Sequence, residues 1–490
     1  MTESPGFERY PGAAQDTLWR SLVFPANHRN PQTDHRYHLL VVGAGPAGLI
    51  CALAAAGLGA RVALIERNAM GGDCLNVGCV PSKTLLEASR RCPGADGFDD
   101  AFATMRAVRA AIAVHDSVER YTDAGVDVFL GEAAFVGRDT VQVGDRHLRA
   151  RRIVIATGAR PALPPIPGLA EAAPLSNETV FDLRERPGRL AIIGAGPIGC
   201  ELAQALVRLG VRVTLLDAAT RPLPAESPAA SDAIAAALAA DGVDLRMGAS
   251  IREVRRIGPE TRIELDGSSI DVDRVLAATG RRANVERLGL DRAGVGLSAN
   301  GLIAVDERLR TTNRRIFAAG DVCSETMFTH SADAQARVAV QNALFAPTAS
   351  TARLVIPHCT YTSPEVAQIG LHRGNLGAAA ARCTIHAVAL NELDRSRAAG
   401  DTGGFAEIVI DARRGRILGA TIVAEHAGDL IVPVCVAMSN GLSIAELGRT
   451  VIPYPTRSEY IRRIADASNR ARLTPLLRRL LHAWLRLTDR

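Results

Sequence analysis

Two cysteines and a lysine share the stretch GGDCLNVGCVPSKTLL, residues 71–86. Four residues separate Cys74 from Cys79, and Lys83 lies four after Cys79, one turn further on if the segment is helical. A structural staple is the weakest reading of the pair. Closing so short a loop adds only about 2 kcal/mol before strain, and a reducing compartment would open it. A zinc site asks for two more ligands at related spacing, and none lies nearby in the sequence. A redox-active disulfide is favoured, because a near-helical turn and an ammonium stabilise a thiolate and make the bond easy to reduce. Lys83 is also the only lysine among 57 Lys and Arg residues, so position 83 asks for a compact ammonium and not a guanidinium fork.

The elements that must position this pair are written twice. LLVVGAGPAGLICALAAAGLGARVALIE (39–66) and LAIIGAGPIGCELAQALVRLGVRVTLLD (190–217) align without a gap at an offset of 151 residues. Each reads as a buried strand, a Gly-rich turn, an Ala/Leu-rich helix and a β-branched strand closing on an acid, a βαβ unit. Gly43, Gly45, Gly48 and Glu66 in the first recur as Gly194, Gly196, Gly199 and Asp217 in the second. That is the dinucleotide fingerprint: a tight turn, a close approach to pyrophosphate, close helix–strand packing, and a carboxylate for a ribose diol. One copy alone is a weak signal, whereas two in the same context, each with its acid, are specific.

Later segments frame these units. IVIATG (153–158) and VLAATG (275–280) read as strands after each unit, and ARPALPPIPG (159–168) is a linker that no helix or central strand can contain. IFAAGDV (316–322) reads as a buried strand, and from about residue 354 alternation typical of an antiparallel sheet begins. The chain of 490 residues is long enough for about three domains. The 57 Lys+Arg against 52 Asp+Glu are spread along it and give no reason to propose nucleic acid. No apolar run approaches the roughly 18 residues of a membrane helix. Nine cysteines are too sparse for a disulfide framework, and the first 37 residues lack a signal-peptide core, so a cytoplasmic location is expected. Residues 1–37 read as a polar N-terminal arm that packs late or stays mobile. From Leu473 to Leu487, leucines and Trp484 at helical spacing beside Arg478, Arg479 and Arg486 predict a basic amphipathic helix within 471–490. Docking on its own dimer is favoured over peripheral membrane contact. Cys51, Cys92, Cys200, Cys323, Cys383 and Cys435 are expected to be small buried hydrophobes, and His330, His358 and Cys359 receive no role.

Taken together, the two fingerprints, GGDCLNVGCVPSK, the paired ATG, FAAGDV, YTSPEVAQIG and PYPTRSE resemble the class I pyridine nucleotide-disulfide oxidoreductases over about residues 38–470. These flavoenzymes include dihydrolipoamide dehydrogenase, glutathione reductase and mercuric reductase. Thioredoxin reductases are less similar, since their cysteine pair has two intervening residues and lies in the second dinucleotide domain. The resemblance implies an α/β fold with two Rossmann-like domains, for FAD and NAD(P), plus a C-terminal α+β dimerisation domain. It divides the chain into FAD-binding residues 38–165 and 282–350, NAD(P)-binding residues 166–281 and dimerisation residues 351–470. It further implies FAD held by Gly43, Gly45, Gly48, Glu66, Gly72, Thr157, Gly158 and Asp321, and NAD(P)H held by Gly194, Gly196, Gly199, Asp217 and Gly280. Cys79 would face the flavin, Cys74 would meet substrate, Lys83 would pair with Glu201, and a homodimer would complete each site. NADH is favoured over NADPH, because the Asp217 carboxylate suits a 2′-hydroxyl and would repel a 2′-phosphate; Arg221 nearby weakens that preference.

One departure bears on substrate. Where lipoamide and glutathione reductases carry His-Pro-Thr and then Glu, this chain has Tyr454, Pro455, Thr456 and Glu459. Mercuric reductases also have tyrosine there, yet the sequence shows neither their vicinal C-terminal cysteines nor their N-terminal metal-binding module. The expected activity is transfer from NAD(P)H through FAD and Cys74/Cys79 to a thiophilic metal ion or disulfide. The alternatives are a dihydrolipoyl dehydrogenase-type exchange, a quinone reductase working directly from the flavin, and a flavin redox sensor.

Overall fold

The computed structural model describes residues 14–488, which form two compact units. In the first unit (14–219 with 241–354), helix α1 (Ala14–Val23) precedes strand β1 (Tyr37–Val42), helix α2 (Pro46–Gly57) and strand β2 (Val62–Glu66). β3 (Val126–Leu130), β2, β1 and β4 (Arg146–Ile155) lie side by side in parallel. The apolar runs exist because this sheet is covered on both faces. Leu39, Val41, Leu64 and Val128 enter one core, and Leu40, Val42, Ile65 and Phe129 enter the other, as a period of two dictates.

The second copy repeats the arrangement. β5 (Arg189–Ile193), helix α6 (Pro197–Arg208) and β6 (Arg212–Asp217) pair in parallel with β7 (Asp244–Met247) and β8 (Arg274–Ala277), in the order β7-β6-β5-β8. Three more helices complete the frame of the site: α3 (Gly72–Asn76), α4 (Cys79–Arg91) and α5 (Gly97–Ala113). β9 (Ile316–Ala318) returns to the first sheet beside β4 and leads to α7 (Thr329–Leu344). The Pro-rich linker contributes only Ala159–Pro161, hydrogen-bonded to Arg281–Ala283 as a two-stranded pair.

The second unit (220–240 with 355–488) is built on a five-stranded antiparallel sheet: His358–Thr360, Glu365–Gly370, Ile417–Ala424, Phe405–Asp411 and Cys383–Ala389. Helix α8 (Tyr460–Ala471) packs on its core through Tyr460, Ile461 and Ile464, and α9 (Pro475–Thr488) follows. The segment Thr220–Ala240, expected inside the nucleotide-binding domain, groups with this unit, where Glu226 pairs with His358 Nε2 at 2.7 Å. Among the described residues, no helix is long and apolar enough to cross a membrane.

Two expectations need correction. The arm is not peripheral from Ala14 on: α1 buries Trp19, Val23 and Asp16 because its inward face is apolar and its one buried acid meets arginines. Residues 1–13 lie outside the described residues. Cys92 is exposed, sitting just past the end of α4, and Cys323, Cys383 and Cys435 are only half-buried, whereas Cys51 and Cys200 are buried.

Candidate active site

The turn between the two cysteines breaks one helix and starts the next. α3 ends at Asn76, and Cys79 is the first residue of α4, with Gly78 as its cap. Unpaired N–H groups and the dipole at such a terminus favour a thiolate. Cys74 and Cys79 are not disulfide-bonded to each other in this structure. The Cys74 thiol donates a hydrogen bond to the Cys79 sulfur, and this, together with the Lys83 ammonium and Thr329, outweighs burial and brings Cys79 down to about 6. Cys74 is pushed well above the ordinary thiol range by that same hydrogen bond, by burial and by the nearby charges of Cys79 and Asp116. Of the pair, Cys74 is therefore the group that holds its proton more tightly and Cys79 the one that loses it first. Thr329, the first residue of α7, places its Oγ1 3.6 Å from Cys79 Sγ.

Lys83 lies one turn along α4, as the spacing predicted. Its Nζ donates to Glu201 Oε2 at 2.7 Å, and Glu201 is nearly buried on α6. On the other flank, Arg281 pairs with Asp73, the residue before Cys74, and lies 3.5 Å from Asp321 Oδ2. Burial raises the Asp321 carboxyl, and Arg281 opposes the shift. Burial alone would lower Arg281, but the charges of Asp73 and Asp321 win and raise it.

The two fingerprints have matching geometry. Gly43 has φ +103°, and a Cβ there would sit 2.3 Å from Ala156 O; one on Gly48 would sit 1.8 Å from Gly43 O. Gly194 and Gly199 repeat both constraints against Ala278 O and Gly194 O. Gly45 and Gly196 cap α2 and α6, and Gly72 packs its backbone on Gly45. Gly158 and Gly280, both at positive φ, have open space where a side chain would be. Glu66 accepts from Ala44 N (2.7 Å) and Asn68 N (2.8 Å); Asp217 accepts from Ala195 N (2.6 Å) and Ala219 N (2.7 Å). Thr157 is engaged with Asn284, whose carbonyl accepts from Thr157 Oγ1 at 2.7 Å. Open backbone beside two helix N-termini, with an acid behind each, fits the pyrophosphates and riboses of two dinucleotides.

In the second unit, Tyr454 is 72% exposed and donates its hydroxyl to Asp394 Oδ2 at 2.9 Å. That bond to a carboxylate raises the phenol further. Glu459 does not orient Tyr454; it accepts from Arg463 Nε at 2.9 Å, one turn along the chain. Beside Tyr454 lies a cleft lined by His426, Asp429, Pro455 and Arg457. Sequence reasoning missed Thr329, Asp73, Arg281 and Asp394. Only the acid directly before Cys74 and the arginine directly after the second ATG gave any signal.

Known proteins are similar to this chain over most of its length. Residues 37–336 match the family described as pyridine nucleotide-disulphide oxidoreductase, and 356–465 match its dimerisation domain. A mercuric reductase of Bacillus cereus is 34% identical, covering 92% of this chain and 74% of that protein. A dihydrolipoyl dehydrogenase of Chlamydia trachomatis is 31% identical over 86% of this chain and 95% of that protein. Among solved structures, the Cu(II) complex of the HOCl-induced flavoprotein disulfide reductase RclA from Escherichia coli has a TM-score of 0.80 and 27% identity, covering 88% of this chain and 99% of that one.

Proposed function

The chain belongs to the class I pyridine nucleotide-disulfide oxidoreductases, which are FAD-dependent enzymes, and from that premise we propose that it carries electrons from NADH through Cys74 and Cys79 to a thiophilic metal ion. The observation that carries this reading is Cys79 itself: a depressed thiol at a helix N-terminus, hydrogen-bonded by Cys74 and facing the chain's only lysine. The glycine cradle at 43, 45, 48 and 72, with Glu66 and Asp321, is assigned to FAD, and the cradle at 194, 196 and 199, with Asp217 and Gly280, to the nicotinamide nucleotide. FAD, when bound, supplies the two-electron relay between nicotinamide and disulfide.

The residues of the chain do the rest. Two electrons and one proton open the Cys74–Cys79 disulfide to the Cys79 thiolate and the Cys74 thiol. Lys83 stabilises the thiolate, and Glu201 keeps the ammonium in place. Loss of the Cys74 proton gives two thiolates that bind a divalent thiophilic ion; as the disulfide re-forms its two electrons pass to one ion that accepts two, as mercuric ion does, or to two ions that accept one each, as cupric ion does. The match to a dimerisation domain supports a homodimer, and α9, directly after that domain, is assigned to the partner protomer. NADH is assigned over NADPH because Asp217 presents a carboxylate at the end of β6. Arg221, the cation that weakened this preference, pairs with Asp232 at 3.4 Å.

Two features favour a metal ion over a disulfide acceptor. Tyr454 stands at the histidine position with its hydroxyl committed to Asp394, so disulfide exchange lacks its usual acid–base group. The names of similar proteins, mercuric reductase and a Cu(II) complex of a disulfide reductase, point the same way. The test is to offer NADH-reduced protein mercuric ion, cupric ion, lipoamide, glutathione disulfide and a soluble quinone in parallel. The fastest turnover is expected with a metal ion, and a faster disulfide or quinone would overturn the assignment.

A further inference from the structure

Helix α1 precedes residue 37, where the family match begins, yet it is fastened to the loop between the cysteines. Trp19 Nε1 donates to Asn76 Oδ1 at 2.8 Å, and both residues are buried. The Asn76 amide donates in turn to Gly72 O (2.8 Å) and Met70 O (3.1 Å), while its own carbonyl accepts from Arg109 Nη1 at 3.2 Å. Arg109 donates to Asp16 Oδ1 at 2.8 Å, Asp16 Oδ2 accepts from Arg184 at 2.7 Å, and the Arg109 guanidinium lies 4.4 Å from the Trp19 ring centroid. Met70 N donates to Val23 O at 3.1 Å, a second tie, between α1 and the segment that leads into α3.

Asn76 ends α3, the short helix that carries Cys74, and lies three residues before Cys79. Its amide binds the start of α3 and the residues before it, and its backbone carbonyl binds α5; its side-chain oxygen is held by the indole of α1. In a buried network of this kind, loss of one donor leaves an acceptor without a partner and releases the group it held. We propose that Trp19 is a positioning residue for the redox pair: by holding Asn76 it fixes α3 in the register that sets the Cys74 thiol against the Cys79 sulfur. The inference rests on reading Cys74 and Cys79 as the redox pair, but its test does not depend on turnover.

The reduced holoenzyme is alkylated with iodoacetamide across pH, and modification of Cys79 is followed by peptide mapping. Trp19→Phe keeps an aromatic ring over Arg109 and removes only the N–H and one ring. It is expected to move the Cys79 midpoint upward and to slow alkylation at pH 6.5 by several-fold. Val23→Ala opens a cavity in the same helix but keeps the indole bond, so it is expected to lower Tm and leave the midpoint in place. Trp19→His, which retains a ring N–H, is expected to recover part of the shift. A Trp19→Phe protein with lower Tm and an unmoved midpoint would overturn the proposal. Should that variant not fold, Asn76→Ala read against Val23→Ala decides the same point, and an unmoved midpoint again overturns it. Alkylation with no thiolate behaviour in the wild type would instead refute the underlying redox assignment.

Discussion

Lys83 Nζ and Glu201 Oε2 stand 2.7 Å apart, joining the helix that begins with Cys79 to the helix of the second βαβ unit. The pair brings opposite charges to one thiolate: the ammonium lowers Cys79, the carboxylate raises it, and the ammonium has the larger effect. Replacing the charge at one end should therefore move Cys79 in a direction set by which end is changed. Lys83→Met is expected to raise the Cys79 midpoint from about 6 toward 7, within the range an adjacent opposite charge produces. Glu201→Gln is expected to lower it. Iodoacetamide alkylation against pH checks both, and shifts of the same sign would contradict the reading.

The pH dependence of the wild type follows from the same group. Cys79 is depressed, so its reactive thiolate is populated above pH 6 and lost as pH falls through it; the raised Cys74 keeps its proton through neutrality. Alkylation of Cys79 in the reduced enzyme should rise with a midpoint near 6 and then level off, with Cys74 reacting far more slowly at pH 7. Equal reactivity of the two would show that the proton is not held on Cys74.

Tyr454 and Asp394 lead to a prediction about acceptors. A phenol raised by its carboxylate partner does not exchange protons near neutral pH, whereas a positioned histidine typically contributes about 10²–10⁴-fold. Lipoamide and glutathione disulfide should turn over poorly. Tyr454→His is expected to improve lipoamide turnover more than a few-fold, and steady-state rates with both proteins measure it.

For the nucleotide, kcat/KM is expected to favour NADH. Asp217→Ala removes the carboxylate that accepts from Ala195 N and Ala219 N and should cost NADH about tenfold, roughly 1.4 kcal/mol. It should also narrow the gap to NADPH. A wild-type preference for NADPH would sink this assignment.

Asp16 is the anion of a buried cluster with Arg109 and Arg184. Breaking a buried pair from one side leaves an uncompensated charge, so Asp16→Ala should destabilise the protein by about 3–5 kcal/mol. Denaturant unfolding checks the value, and a loss below 1 kcal/mol would mean that the arginines find other partners.

Much of this arrangement was legible in the sequence, for identifiable reasons. Strands covered on both faces must be apolar throughout, so β1 and β5 stand out, and the glycines that let α2 and α6 approach them recur at fixed spacing. Cys79 and Lys83 were legible because one helical turn joins them. Arg281, Thr329 and Asp394 were not, since each reaches its partner only through chain closure over many residues. Helix α1 was missed because Trp19, Leu22 and Val23 sit in a polar stretch, where a narrow buried face resembles an exposed arm. Glu459 was singled out for its place after Tyr454, but its pairing with Arg463 depends on the first turn of α8 and carries no separate signal in the sequence.

The central claim is that Cys74 and Cys79 open and close as one disulfide at the expense of NADH, and a thiol count tests it most directly. The oxidised protein, treated anaerobically with NADH and then denatured, should show two more titratable thiols than the untreated protein, out of nine in the chain. The gain should vanish in Cys79→Ser and in Cys74→Ser, and a long-wavelength band that appears on reduction should vanish in Cys79→Ser. An unchanged thiol count in the wild type, or an undiminished gain in either variant, would contradict the account.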